Sequence, residues 1–209
     1  MPIDKIIFDL GGIVVPEKWN HILEEMAKFT QVDTSVIDNL TSKLRPQLIR
    51  GEISLLDLYY QLLTDRNDIT LQKVLEHHIA LHKSVATERD PQIMDLIKNL
   101  RNNDYTVACA TNTEREIADY VKRSQDPIFS HFDYAFISTD LRLSKDTPEF
   151  YKKVAAHLKA SPKQTLTVDN MRGCFNAARS AGLNAILYGQ FKEGYHQLLI
   201  ELRSFGIRI

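Results

Sequence analysis

Lys5-Ile-Ile-Phe-Asp9-Leu-Gly11-Gly12-Ile-Val14 decides how the rest of the chain is read. A short apolar run that ends in an acid and breaks at two glycines predicts a buried parallel strand opening into a loop. Two glycines directly after an acid also suit close approach of a ligand to the backbone. Beyond this point the period changes. From Pro16 to about Val85 the apolar residues recur at spacings of three and four: Trp19, Ile22, Leu23, Met26 and Phe29 make one face, Leu55, Leu58, Tyr59 and Leu62 a second, Leu71, Val74, Leu75 and Leu81 a third. Strand signals are nearly absent there, so the stretch reads as an all-helical insertion.

Alternation returns at Asp90-Pro91, a cap and first-turn pair. Ile93, Leu96, Ile97 and Leu100 face one side of the helix that follows, and Tyr105 to Ala110 reads as a strand ending at Thr111-Asn112. A helix near Glu114 to Lys122, a strand over Tyr134–Ser138 and a helix opened by Thr147-Pro148, with Phe150, Tyr151, Val154 and Leu158 inward, continue the rhythm. Strand 164–168, helix 172–181, strand 184–188 and a last helix to about Arg203 complete it. Strands alternating with helices predict an α/β fold: a Rossmann-like three-layer α/β/α core with a mostly parallel sheet, plus an inserted all-helical cap. The expected division is a core of residues 1–15 and 86–209 and a cap of residues 16–85.

The 209 residues carry 26 Lys+Arg against 27 Asp+Glu, a formal net charge of −1. Neither a basic excess that would favour nucleic acid nor an acidic tail is present. Hydrophobic residues make up 44% of the chain, yet no run approaches the ~20 apolar residues that span a bilayer. Cys109 and Cys174 lack metal-type spacing and read as buried or half-buried free thiols. A reduced cytoplasmic protein, monomer or homodimer, with no nucleic-acid or membrane partner, is the expectation.

In open α/β sheets ligands bind beyond the carboxyl ends of the strands. Asp9, Thr111 and Asp169 all sit at predicted strand ends, and Lys145 lies in a connecting loop. Taken singly each has a plain structural reading: Asp9, Thr111 and Asp169 as caps, Lys145 as a solvated lysine. Taken as an ordered set they resemble a known family. Ile-Ile-Phe-Asp9-Leu-Gly-Gly-Ile-Val resembles the first motif of the haloacid dehalogenase superfamily, Ala110-Thr111-Asn112 the second, Phe132 to Ser138 running on to Lys145 the third, and Leu166-Thr-Val-Asp169-Asn170 with its following helix the fourth.

That resemblance implies a Mg²⁺-dependent phosphatase-type hydrolase acting on a small phosphorylated metabolite. Phosphoryl transfer needs a nucleophile, charge neutralisation and alignment. Asp9 would be the nucleophile, forming an aspartyl-phosphate; Thr111 and Lys145 would assist it. Gly11, Gly12, Thr111, Asn112 and Lys145 would bind substrate. Asp9, the backbone carbonyl of Gly11, Asp169 and Asn170 would hold the metal, since Mg²⁺ takes hard oxygen ligands and keeps several waters.

Three positions depart from the family pattern. Phosphatases of the superfamily usually carry a second aspartate two residues after the nucleophile, for proton transfer, where this chain has Gly11. The fourth motif has Asn170 where a second aspartate is usual, and Lys145 is followed by Asp146 rather than proline. Gly11 and Asn170 leave open a catalytically impaired binding or regulatory protein. A 2-haloacid dehalogenase is the remaining alternative, because such enzymes need no metal. Those enzymes, however, carry an acid where Cys174 stands and small polar residues where Asp169 stands.

Other features read as structure. His77, His78 and His82 share one helix without the acid of a zinc-protease motif, which predicts a solvated or partly packed face. Arg45, Arg50 and Gly51 lie between helices of the insertion and read as structural or solvated, with an anionic substrate as the other reading.

Overall fold

Side-chain alternation along β1 (Lys5–Asp9) sorts the core into two layers. In a computed structural model, residues 2–64, 68–125, 127–189 and 194–209 are described, apart from the side chains of 84–86. Ile6 and Phe8 face one way and pack with Val107, Cys109, Leu166 and Val168 against α5 (Pro91–Asn102) and α10 (Gly194–Ser204). Ile7 faces the other way and packs with Ala108, Ala110 and Phe136 against α8 (Pro148–His157) and α9 (Arg172–Ser180). Both faces of the sheet are thus covered, which is why its central strands read as unbroken apolar runs.

β2 (Thr106–Thr111), β3 (Tyr134–Ile137), β4 (Thr165–Asp169) and β5 (Asn184–Leu187) complete the sheet in the order β3-β2-β1-β4-β5. Every pairing is parallel. The Rossmann-like α/β fold expected from the sequence is the one observed. Chain direction across the sheet reverses at β1, between β2 on one side and β4 on the other, and a crevice opens at such a switch point. Register brings the critical ends level: Asp9 lies opposite Ala110, with Thr111 one residue further along β2, and Phe8 lies opposite Val168, the residue before Asp169.

Between β1 and α5 run α1 (Trp19–Thr30), α2 (Thr34–Ile49), α3 (Leu55–Leu62) and α4 (Leu71–Thr87). Their buried residues, among them Ile22, Met26, Leu48, Leu58, Tyr59 and Val74, form an apolar cluster separate from the two sheet layers, joined from the core by Ile117 of α6 (Arg115–Arg123). The N-termini of α2 and α3 are capped by short acceptors. Asp33 accepts from the Ser35 amide at 2.8 Å, and Ser54 and Asp57 form a reciprocal capping box. Asp90 accepts from the Gln92 and Ile93 amides, with Pro91 in the first turn, as its sequence predicts.

Sequence periodicity picks out three of these four helices and misses α2. Pro46 lies inside α2, and proline removes an amide donor and normally ends a helix. α2 tolerates it because Ile37, Leu44, Leu48 and Ile49 are buried on either side of it. The four-residue α7 (Ser138–Leu141) is too short to show a period. Phe29, expected on the inner face of α1, is 37% exposed and stacks on His77, ring centres 4.0 Å apart.

Both crossings between the helical segment and the sheet are adjacent. The Asp90 amide donates to the Val14 carbonyl at 2.9 Å, and Lys18 pairs with Glu88 at 2.5 Å. Among the described residues no helix is long and apolar enough to cross a membrane.

Candidate active site

The chain leaves β1 through a tight curl. The carbonyl of Leu10 accepts the amides of Val14 and Val15, each at 2.9 Å, and Gly12 donates to the Val15 carbonyl at 2.7 Å, so Val15 bridges back beside Gly11. The Gly11 carbonyl takes none of these bonds. Gly12 sits at φ +77°, a left-handed conformation that favours glycine. A side chain there would also run into the Asn170 amide. The second glycine after Asp9 therefore has a physical reason: it makes room for the residue that follows β4.

The curl and the register bring three charges to one point. Lys145 Nζ lies 2.5 Å from Asp9 Oδ1 and 2.9 Å from Asp169 Oδ2. Lys145 is 2% exposed and Asp169 fully buried. Ions this deep persist only when paired. Burial opposes the lysine's charge, but the two carboxylates outweigh it and hold its pKa well above the usual lysine range. Asp9 is pushed up to about 6, chiefly by burial, with Asp169 adding to the effect and Lys145 opposing it. The triad carries two negative charges against one positive.

Asp169 uses its other oxygen, Oδ1, to accept the Met171 amide at 2.9 Å, ahead of α9. Its Oδ2 faces Lys145 without the alignment of a hydrogen bond. Asn170 Oδ1 is buried and has no partner among the described residues. An orphaned buried oxygen is costly and marks the place of a missing donor or cation. No three His, Cys, Asp or Glu side chains converge there to hold a metal, among the described residues. A cation would rest on Asp9 and Asp169 with two neutral oxygens, the Asn170 amide and the Gly11 carbonyl. That is an all-oxygen set suited to Mg²⁺, whose coordination is usually completed by water.

Thr111 ends β2 in a buried position and makes no side-chain hydrogen bond among the described residues. It does not cap α6, whose N-cap is Glu114. Asn112 plays a part that sequence reasoning did not assign. Its side-chain oxygen accepts the Lys145 amide at 3.0 Å and its nitrogen reaches Ser144 Oγ at 3.3 Å, so it fixes the loop that carries the lysine.

The remaining candidates lie outside this cluster. Arg50 C-caps α2 and forks onto Glu52, while Arg45 stands 4.0 Å from Glu114. His78 is buried and hydrogen-bonded to the Tyr59 hydroxyl, with His82 stacked on it, so the face is packed more deeply than expected. Both cysteines are buried free thiols, and burial pushes Cys174 up to about 12. A hollow of about 870 Å³ lined by Lys98, Arg101, Thr106 and Asp133 lies at the opposite end of the strands, where Arg101 and Asp133 pair with each other.

Comparison with known proteins bears on the family and the fold. A family model for haloacid dehalogenase-like hydrolases matches residues 3–170. Among solved structures, the chain is similar to a HAD family enzyme from Bacteroides thetaiotaomicron, with TM-score 0.76, 17% identity and coverage of 95% of this chain and 99% of that one. A predicted HAD-like hydrolase from Porphyromonas gingivalis gives TM-score 0.73 and 21% identity, covering 97% and 99%. A 2-haloacid dehalogenase from Pseudomonas syringae gives 0.69 and 16%, covering 97% and 99%. At these identities the structural likeness speaks for the fold, and the family match covers most of the chain. The chain belongs to the haloacid dehalogenase-like hydrolases.

Proposed function

We propose that the protein is a Mg²⁺-dependent phosphatase of a small phosphorylated metabolite, acting through an aspartyl-phosphate on Asp9. The observation that carries this reading is the buried cluster of Asp9, Lys145 and Asp169 beside the orphaned Asn170 oxygen. Its net negative charge favours a divalent cation, and together they favour a phosphate. The Bacteroides enzyme has been crystallised with magnesium and inorganic phosphate.

Asp9 would attack phosphorus, and the bond to the leaving oxygen would break. Lys145, held at 2.5 Å, keeps Asp9 ionised and offers its other protons to a phosphate oxygen. Thr111 would donate to a second oxygen, the backbone at Gly11 and Gly12 would pass close beneath the phosphate, and Asn112 keeps Lys145 in register. The metal would be held by Asp9, the Gly11 carbonyl, Asp169 and Asn170, and when bound it supplies positive charge to the phosphate oxygens. Residues 16–85 would form the cap that excludes water from the site.

The test is phosphate release from a panel of phosphorylated metabolites, with Mg²⁺ or with EDTA, by the native protein and Asp9→Asn. Metal-dependent release abolished by Asp9→Asn is the expected result. Chloride release from 2-chloropropionate without metal would overturn it in favour of a dehalogenase. Gly11 favours one second reading, a fold retained without turnover. Inactivity of the native protein, with activity appearing in Gly11→Asp/Asn170→Asp, would establish that reading instead.

A further inference from the structure

Phosphoryl transfer to Asp9 leaves a negative oxygen on the departing group, and hydrolysis of the aspartyl-phosphate requires a base for water. None of the residues already placed in the site is suited to either task. Asp9 forms the covalent bond. Lys145 keeps its proton between two carboxylates, and Asp169 is sealed from solvent. Position 11, the nearest residue beyond the nucleophile whose side chain would face the crevice, is glycine.

The space beside Gly11 is nevertheless acidic. Glu17 Oε2 lies 3.7 Å from where a Cβ on Gly11 would stand, and among the described residues it is the only atom within 4 Å of that point outside the adjacent residues. The curl after β1 explains how a residue six positions on returns there. Val15 is bridged to Gly11 and Glu17 follows two residues later. Pro16 stiffens the arm between them by fixing its own φ and holding Val15 extended. The Glu17 side chain is exposed and has no hydrogen bond or ion pair with any described residue. It also lines a hollow of about 700 Å³ together with Lys18, Trp19, Asn20 and His21.

We propose that Glu17 is the proton-transfer residue of the Asp9 site, its carboxyl group occupying the space that Gly11 leaves empty. This inference rests on the phosphatase reading above. In the first half-reaction the Asp9 oxygen bonds to phosphorus, the bond from phosphorus to the alcohol oxygen breaks, and the proton of the Glu17 carboxyl passes to that oxygen. In the second, water attacks phosphorus and loses its proton to the Glu17 carboxylate. The bond from phosphorus to Asp9 breaks, releasing inorganic phosphate and restoring both side chains.

Rapid-mixing kinetics of Glu17→Gln with two probes separates this role from a structural one. p-Nitrophenyl phosphate has a leaving group that departs unprotonated, and glycerol phosphate has one that does not. With p-nitrophenyl phosphate the variant releases one equivalent of nitrophenolate at close to the native rate, then stalls as phosphoenzyme. With glycerol phosphate the first turnover itself slows by about 100-fold. Gly11→Asp added to Glu17→Gln restores at least about a tenth of the native rate, since an aspartate there fills the same space. Glu88→Gln, which breaks only the linker ion pair, leaves both probes unaffected. Equal slowing of both probes, or phosphoenzyme of native lifetime in Glu17→Gln, overturns the role of Glu17 while leaving the phosphatase reading intact. No phosphate release and no phosphoenzyme from either protein with either probe overturns both.

Discussion

Among the described residues two clusters of ionisable side chains are buried, one at the carboxyl ends of β1 and β4 and one among helices α1–α4, and burial acts on them in opposite ways. At the sheet edge Lys145 stays charged because Asp9 and Asp169 converge on it. Among the helices His78 faces Tyr59 and His82, and no carboxylate of the described residues is bonded to it. Desolvation comes first there, and His82 and His77 add to it, pushing His78 down to about 3. The contrast teaches that burial neutralises a group only where no opposite charge is supplied. A site built to hold charge must import its partners from separate strands, as this one does.

The largest effect follows from removing the charge that serves both acids. Lys145→Met leaves two carboxylates buried together and should cost about 3–5 kcal/mol in urea unfolding at pH 7. The loss shrinks as the pH is lowered and the acids protonate. A variant as stable as the native protein at pH 7 would show that the pair does not persist in solution.

Acid separates the clusters by sign. A histidine held down to about 3 contributes stability that is complete above its ordinary value of about 6.5 and drains away as pH falls towards 3. His78 alone accounts for about 2 kcal/mol lost by pH 5. Asp9, raised to about 6, works the other way: its ionised form is disfavoured by folding, so its contribution is present at low pH and lost as pH rises through 6. Thermal unfolding in EDTA between pH 7 and 5 should therefore fall for the native protein, less steeply for His78→Leu and more steeply for Asp9→Asn. Parallel curves for all three would break the comparison.

Tyr59→Phe is the next smaller perturbation. It strands the His78 ring nitrogen in an apolar setting, at a cost of about 1–3 kcal/mol by urea unfolding. The exposed pair of Lys18 and Glu88 sets the baseline, and Glu88→Gln should change stability by less than about 1 kcal/mol.

The fold was legible because period carries it. Apolar runs at Lys5–Asp9 and Thr106–Thr111 and three- and four-residue spacing elsewhere are local signals, and Asp90-Pro91 marks a helix start without tertiary help. α2 was not legible, because Pro46 is tolerated only through burial that distant residues provide. At the site, Asp9, Thr111, Lys145 and Asp169 stood out by their order along the chain, and the register of β1, β2 and β4 explains why that order becomes proximity. The hydrogen bonds of Asn112 to the Lys145 loop were not readable, since they depend on a contact across 33 residues. Glu17 was missed for a different reason. The signal was present in the short distance from Gly11, but the curl that folds the chain back lies in backbone hydrogen bonds from Leu10 and Gly12, which leave no mark on residue type.

The hydrogen bond from Asp90 to Val14 has an evolutionary reading as well. A segment of some 75 residues whose two ends meet within one hydrogen bond adds little closure entropy to the sheet beneath it, because that cost grows only slowly with length. Such an insert behaves as a graft on a single stem. Its length can change at little cost to the sheet while the stem stays closed. Glu17 qualifies that freedom. It stands on the graft's side of the stem, and on the role proposed for it any exchange that omits it would have to return an acid to position 11.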